Sequence, residues 1–62
     1  MKKWYNIELE KKYNELFEKG LKLNNVYYEK SFIKDGLYHY ELYMSEHKEN
    51  TINDLLDLIY QG

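Results

Sequence analysis

The chain contains no cysteine and no proline, and neither arginine nor alanine occurs in it. Without cysteine, disulfides and thiolate metal sites are excluded as supplements to the fold. Without arginine, the side chain best suited to bidentate phosphate recognition is missing. The three glycines are scattered, so no phosphate-cradling loop is present. No apolar run approaches the roughly 18 residues of a membrane span, and Met1-Lys2-Lys3 leads into Trp4-Tyr5-Asn6 rather than a signal-peptide core. The expected location is the cytoplasm. Lysine, asparagine, isoleucine and tyrosine abound where arginine, alanine and proline are missing, the pattern of an AT-rich coding sequence; part of the tyrosine content reflects that bias.

What is present is a 62-residue chain, enough for one domain (1–62) that buries only about 60% of its unfolded surface. Dense aromatic packing and self-association are the remaining ways to supplement so small a core, and a homodimer is expected. Net charge is −2. Its distribution is uneven, with eight lysines against five glutamates in Met1 to Lys34 and six acids against Lys48 alone thereafter. Such halves complement each other within a monomer or across a dimer more readily than they form one charged binding surface.

The spacing predicts an αββα arrangement of α+β class. Leu9, Tyr13, Leu16 and Phe17 fall on one helical face that Tyr5 extends backward, giving a helix over about 5–19 with Gly20 as left-handed cap and Leu21 touching Leu16. Trp4 and Ile7 then project from the opposite side; the alternative is that residues before Glu8 are extended and fold back onto the domain. VYYEKSFIKDGLYHYELYM reads as a hairpin with strands over about 25–33 and 37–45 around Lys34-Asp35-Gly36. A three-residue loop puts Val26, Tyr28 and Phe32 on the face of Tyr38, Tyr40, Leu42 and Met44, at the cost of placing Glu29 opposite Glu41. A two-residue Asp35-Gly36 loop separates those apolar residues. Burial of a large side chain, roughly 1.5 to 3 kcal/mol, outweighs one exposed ion pair, so the three-residue register is expected. Ser45 to Asn50 reads as a polar loop, and Thr51 with Asp54 as a capping box opening a helix over about 51–60 whose main face is Ile52, Leu55, Leu56 and Ile59, widened by Leu58 and Tyr60.

The chosen register leaves a second hairpin face of Tyr27, Ser31, Ile33, Leu37, His39 and Tyr43, too apolar for plain solvent surface. Trp4, Ile7, Tyr27, Ile33, Leu37, His39 and Tyr43 are therefore the candidate partner or dimer interface. His39, Glu41, Glu46 and His47 could in principle converge on zinc, but the spacing supplies no fixed convergence, and no metal or cofactor is expected. Ser31 and Ser45 lack an elbow motif, and nothing predicts a catalytic pocket around Glu41 and Glu46, so no catalytic residue is assigned.

These features predict a small non-enzymatic protein-binding module acting as a homodimer through the hairpin tyrosines. The alternative is a single-stranded nucleic-acid binder or small transcriptional regulator that stacks bases on strand tyrosines; the hairpin offers it only Lys30 and Lys34 against three acids, Glu29, Asp35 and Glu41. A further alternative is an acidic nucleic-acid mimic presenting Glu46, Glu49, Asp54 and Asp57, and a third class is a structural or antitoxin-like subunit. No family motif covers any part of the chain. In general character it resembles the small, acidic, AT-rich proteins that bacteriophages of low-GC hosts encode to inhibit host or anti-phage defence proteins by direct binding, and that resemblance implies a plug, clamp or mimic rather than a catalyst.

Overall fold

Alternation, not helical spacing, governs the first ten residues. Tyr5, Ile7 and Leu9 recur with period two, and Lys2–Glu10 forms a strand, β1, in the computed structural model, which describes residues 1–61. A 3-10 turn at Lys11–Tyr13 leads into helix α1 (Asn14–Leu23). Strands β2 (Tyr27–Phe32) and β3 (Leu37–Ser45) follow, then a second 3-10 turn at Glu46–Lys48 and helix α2 (Glu49–Gln61). The fold is α+β with two helices, but its order is β-α-β-β-α, and the helix expected over 5–19 begins only at Asn14.

The sheet order is β1-β3-β2, with β3 antiparallel to both neighbours. β1 and β2 therefore run parallel with β3 between them, joined by α1. Glu29 pairs with Glu41 and Phe32 with Tyr38, the register expected from burial. The turn itself combines the two loops weighed above. Asp35 and Gly36 both have positive φ, 55° and 74°, as a type I′ turn requires. The Leu37 amide donates to the Lys34 carbonyl at 3.0 Å, while the Ile33 amide donates to the Leu37 carbonyl at 3.0 Å. Ile33 and Lys34 thus both oppose Leu37, a bulge that keeps a two-residue turn and the apolar register together.

Both helices lie on one face of the sheet. Leu9, Tyr40, Leu42 and Met44 from that face pack with Val26, with Phe17 and Leu21 of α1, and with Ile52 and Ile59 of α2 to form the core. The Cα trace has a short dimension of 14 Å, leaving no room for a third layer about 10 Å further on. Leu55 and Leu56 are half-buried against the core as expected, whereas Leu16, assigned to the buried helical face, is 60% exposed. Leu58 and Tyr60 are exposed as well; Tyr60 stacks edge-on against Tyr13 at 4.9 Å.

Gly20 does not end α1. A Cβ there would stand 2.4 Å from a methyl of Leu55, so its role is the close approach of the two helices. The helix ends one turn later in a Schellman motif: Val26 N–H donates to Leu21 O and Asn25 N–H to Lys22 O, with Asn25 left-handed at φ 55° and Val26 buried beside Leu21. The Lys48 ammonium donates to the Asn24 carbonyl, placing a cation at the negative end of the helix dipole. Residues Glu46 to Asn50, expected as loop, are helical, and Thr51 lies inside α2 rather than capping it.

One polar network ties α1 to the sheet. The Glu18 carboxylate accepts hydrogen bonds from the hydroxyls of Tyr28 at 3.0 Å and Tyr40 at 2.7 Å and from the Lys30 ammonium at 2.8 Å. Burial alone pushes the Glu18 carboxyl up, but the bonds from Lys30, Tyr40 and Tyr28 outweigh it and hold it below its ordinary value. Burial and then the bond to Glu18 push the Tyr40 hydroxyl strongly up. Tyr40 thus buries its whole ring while satisfying its hydroxyl at the boundary of the core.

Two tests follow from these contacts. Asn25→Gly should hold or raise stability, because glycine adopts the left-handed conformation freely, whereas Asn25→Val should cost about 1–2 kcal/mol in urea denaturation. The depressed Glu18 carboxyl contributes stability that is fully present above its unfolded value and lost as pH falls through the lower folded value. Glu18→Gln should be less stable at neutral pH and should flatten the acid limb of the stability curve.

Candidate functional site

On the sheet face opposite the helices, the register aligns side chains in rows across all three strands. Trp4 pairs with Tyr43, and Tyr43 with Tyr27, so the first row is entirely aromatic. The Trp4 ring lies 4.9 Å from the Tyr43 ring and 6.1 Å from that of Tyr27, the latter edge-on. Offset and edge-on arrangements are the favoured geometries for aromatic pairs and stabilise by about 0.5–1.5 kcal/mol each. The row nevertheless remains open to solvent, with Trp4 49%, Tyr27 57% and Tyr43 37% exposed. The Lys2 ammonium stands 5.8 Å from the centre of the Tyr43 ring.

The next row along the strands is Asn6, Glu41 and Glu29, followed by Glu8, His39 and Ser31. Glu29 accepts a hydrogen bond from the Tyr27 hydroxyl at 3.0 Å, which raises the affinity of that hydroxyl for its proton. The ion pairs among the described residues join Lys3 to Glu46, Lys12 to Glu10 and Lys30 to Glu18. None of them engages Glu8, Glu29 or Glu41. The face therefore carries an aromatic row with Lys2 beside Tyr43 on one side and, on the other, carboxylates that make none of these ion pairs.

Of the interface residues expected from sequence, Trp4, Tyr27 and Tyr43 come together in this row. His39, Leu37 and Ile33 share the face but sit toward its other end; six residues of strand separate Leu37 from Tyr43, roughly 20 Å. Ile7 does not belong to the surface. It is on the opposite face, packed against the core, because residues three apart on a strand point to opposite sides whereas the helical reading placed Trp4 and Ile7 together. Glu29, Glu41 and Lys2 were absent from the expected interface. The signal for the two glutamates lay in the register itself, since the pairing of Glu29 with Glu41 follows from burying the other face.

The expected acidic strip is divided. Glu46 is paired with Lys3, which draws its carboxyl below the ordinary range; Glu49, Asp54 and Asp57 are exposed on α2, in the helical layer away from the aromatic row. His39 and Glu41 lie on the open sheet face and Glu46 and His47 on the 3-10 turn, and among the described residues no three His, Cys, Asp or Glu side chains gather as a metal ion requires. A shallow depression lies beside the hairpin turn, lined by Glu10, Lys11, Lys12, Asn14, Glu15, Asp35 and Gly36. It is broadly open, and two of its lining residues are joined by the hydrogen bond from the Lys11 amide to the Gly36 carbonyl at 2.6 Å. Among the described residues no helix is long and apolar enough to cross a membrane.

The two sheet faces should respond differently to truncation. Tyr43→Ala should leave the fold intact at a cost of about 1 kcal/mol, whereas Tyr40→Ala, which removes a ring from the core and strips Glu18 of a donor, should cost about 3–5 kcal/mol. Chemical denaturation of the pair measures both.

Comparison with protein-family models, with curated proteins and with solved structures finds no match to this chain.

Proposed function

We propose that the chain is a non-enzymatic protein-binding module that inhibits or regulates a protein target by direct contact, using the open face of its sheet. The observation that carries this reading is the exposed row of Trp4, Tyr43 and Tyr27. Tryptophan and tyrosine supply large contact area with little conformational entropy to lose, and they dominate the energetics of protein interfaces. Three such rings aligned across a sheet form a rigid surface already organised for contact, which lowers the cost of binding.

The competing use of strand aromatics is base stacking. Phosphate contacts supply most of the affinity of such binders, and the carboxylates of Glu29 and Glu41 adjoin the rings, with Glu8 one row further on, against Lys2 beside Tyr43, so the charge favours protein. A homodimer belongs to the same proposal through a different element: β1 is nine residues long and pairs along only one side, and exposed edges of this kind recruit a second strand. Pairing of two β1 edges would extend the sheet and leave the aromatic row free on each copy. The resemblance in type to phage inhibitors of host or defence proteins is consistent with this mode of action.

Affinity capture from a host lysate tests the reading when run in parallel with the Tyr27→Ala/Tyr43→Ala variant. A protein retained by the parent chain and lost with the folded variant is the expected outcome. Retention of nucleic acid, released steeply as salt rises, would assign the chain to the other class.

A further inference from the structure

We propose that the open sheet face docks a basic segment of its protein partner, seating a lysine or arginine side chain against Trp4 and Tyr43 with its charged end toward Glu41 and Glu29. The proposal rests on the protein-binding reading above and specifies the chemistry of the partner.

Two independent features of the face point to a cation. The first is the aromatic row, whose ring faces attract lysine and arginine, tryptophan most strongly. The chain already shows the preference: the Lys2 ammonium lies 5.8 Å from the Tyr43 ring centre. The second is the adjoining row. Glu29 and Glu41 are direct cross-strand partners, and like charges directly opposite destabilise a sheet. Neither takes part in an ion pair among the described residues, although lysines of the same chain pair with Glu10, Glu18 and Glu46. A basic side chain reaching across the aromatic row relieves this repulsion and completes both features at once. Its aliphatic stem would cover the rings while its charged head met the carboxylates.

A second copy of the chain fits the face poorly, because face-to-face packing would bring two sets of uncompensated glutamates together. Nucleic acid is opposed by the same charges. The complementarity therefore selects a basic protein segment over either.

Selection from a random peptide library displayed on phage, with the parent protein as bait and Trp4→Ala as counter-selection, tests the inference. Enrichment of lysine- or arginine-bearing peptides whose binding requires Trp4 and weakens about tenfold in Glu29→Gln/Glu41→Gln would support it, tenfold being modest for loss of close charge pairing at an interface. That affinity should also fall as salt rises. The double variant, freed of its cross-strand repulsion, should be at least as stable as the parent, so loss of binding will not be loss of fold. Peptides that require Trp4 but are neutral or acidic would overturn the inference while leaving the protein-binding reading standing. Absence of any Trp4-dependent peptide would overturn both. A dimer in sedimentation that dissociates on Trp4→Ala would assign the face to a second copy and overturn the inference.

Discussion

Two helices cover one face of a three-stranded sheet, and no other element of residues 1–61 covers the second. This asymmetry sets the character of every strand position. β3 illustrates it, with Tyr40, Leu42 and Met44 enclosed while Glu41 and Tyr43, their immediate neighbours in sequence, stay exposed. Because the side-chain period of a strand is two, a slip of one residue would exchange these sets. The bulge at Ile33-Lys34 holds the register that keeps Tyr40, Leu42 and Met44 inside, although Phe32, expected with them, is 61% exposed at the end of β2, and the Glu29–Glu41 opposition on the open face is a direct consequence.

The enclosed face is fastened by close steric and polar fits as well as by apolar area. Gly20 lets α2 approach α1 until Leu55 occupies the space a side chain would take. Glu18 gathers two tyrosine hydroxyls and an ammonium at the edge of the core, so that Tyr28 and Tyr40 contribute large rings without leaving buried hydroxyls unsatisfied. Much of the tyrosine content is thus structural, and the open-face residues Tyr27 and Tyr43 differ from Tyr28 and Tyr40 by lacking a covering helix.

The hairpin was legible in the sequence because burial of Tyr28, Tyr40, Leu42 and Met44 admits only one register, and the main face of α2 was legible from the spacing of Ile52, Leu55, Leu56 and Ile59. β1 was legible only in the alternative that residues before Glu8 are extended and fold back onto the domain, because Tyr5, Leu9, Tyr13 and Phe17 satisfy a helical period while Tyr5, Ile7 and Leu9 satisfy a strand period equally well. Pairing with β3, a tertiary contact, decides between them. The C-terminus of α1 was misplaced for a related reason: Gly20 has the composition of a cap, but the left-handed position is filled by Asn25, a residue that also tolerates it. Three members of the candidate site, Trp4, Tyr27 and Tyr43, were recognisable from residue type, yet their alignment and the adjoining glutamates required the third strand. Ile7 was misassigned by the same helical reading.

Trp4 is the single tryptophan of the chain, and its environment reports the open face directly. Acrylamide quenching of its fluorescence in the isolated protein, followed over a range of protein concentrations, tests the central claim that this face is uncovered. The structure predicts ready quenching and solvent-relaxed emission at every concentration. A blue-shifted emission that resists quenching would show Trp4 to be enclosed, and would contradict an open aromatic surface.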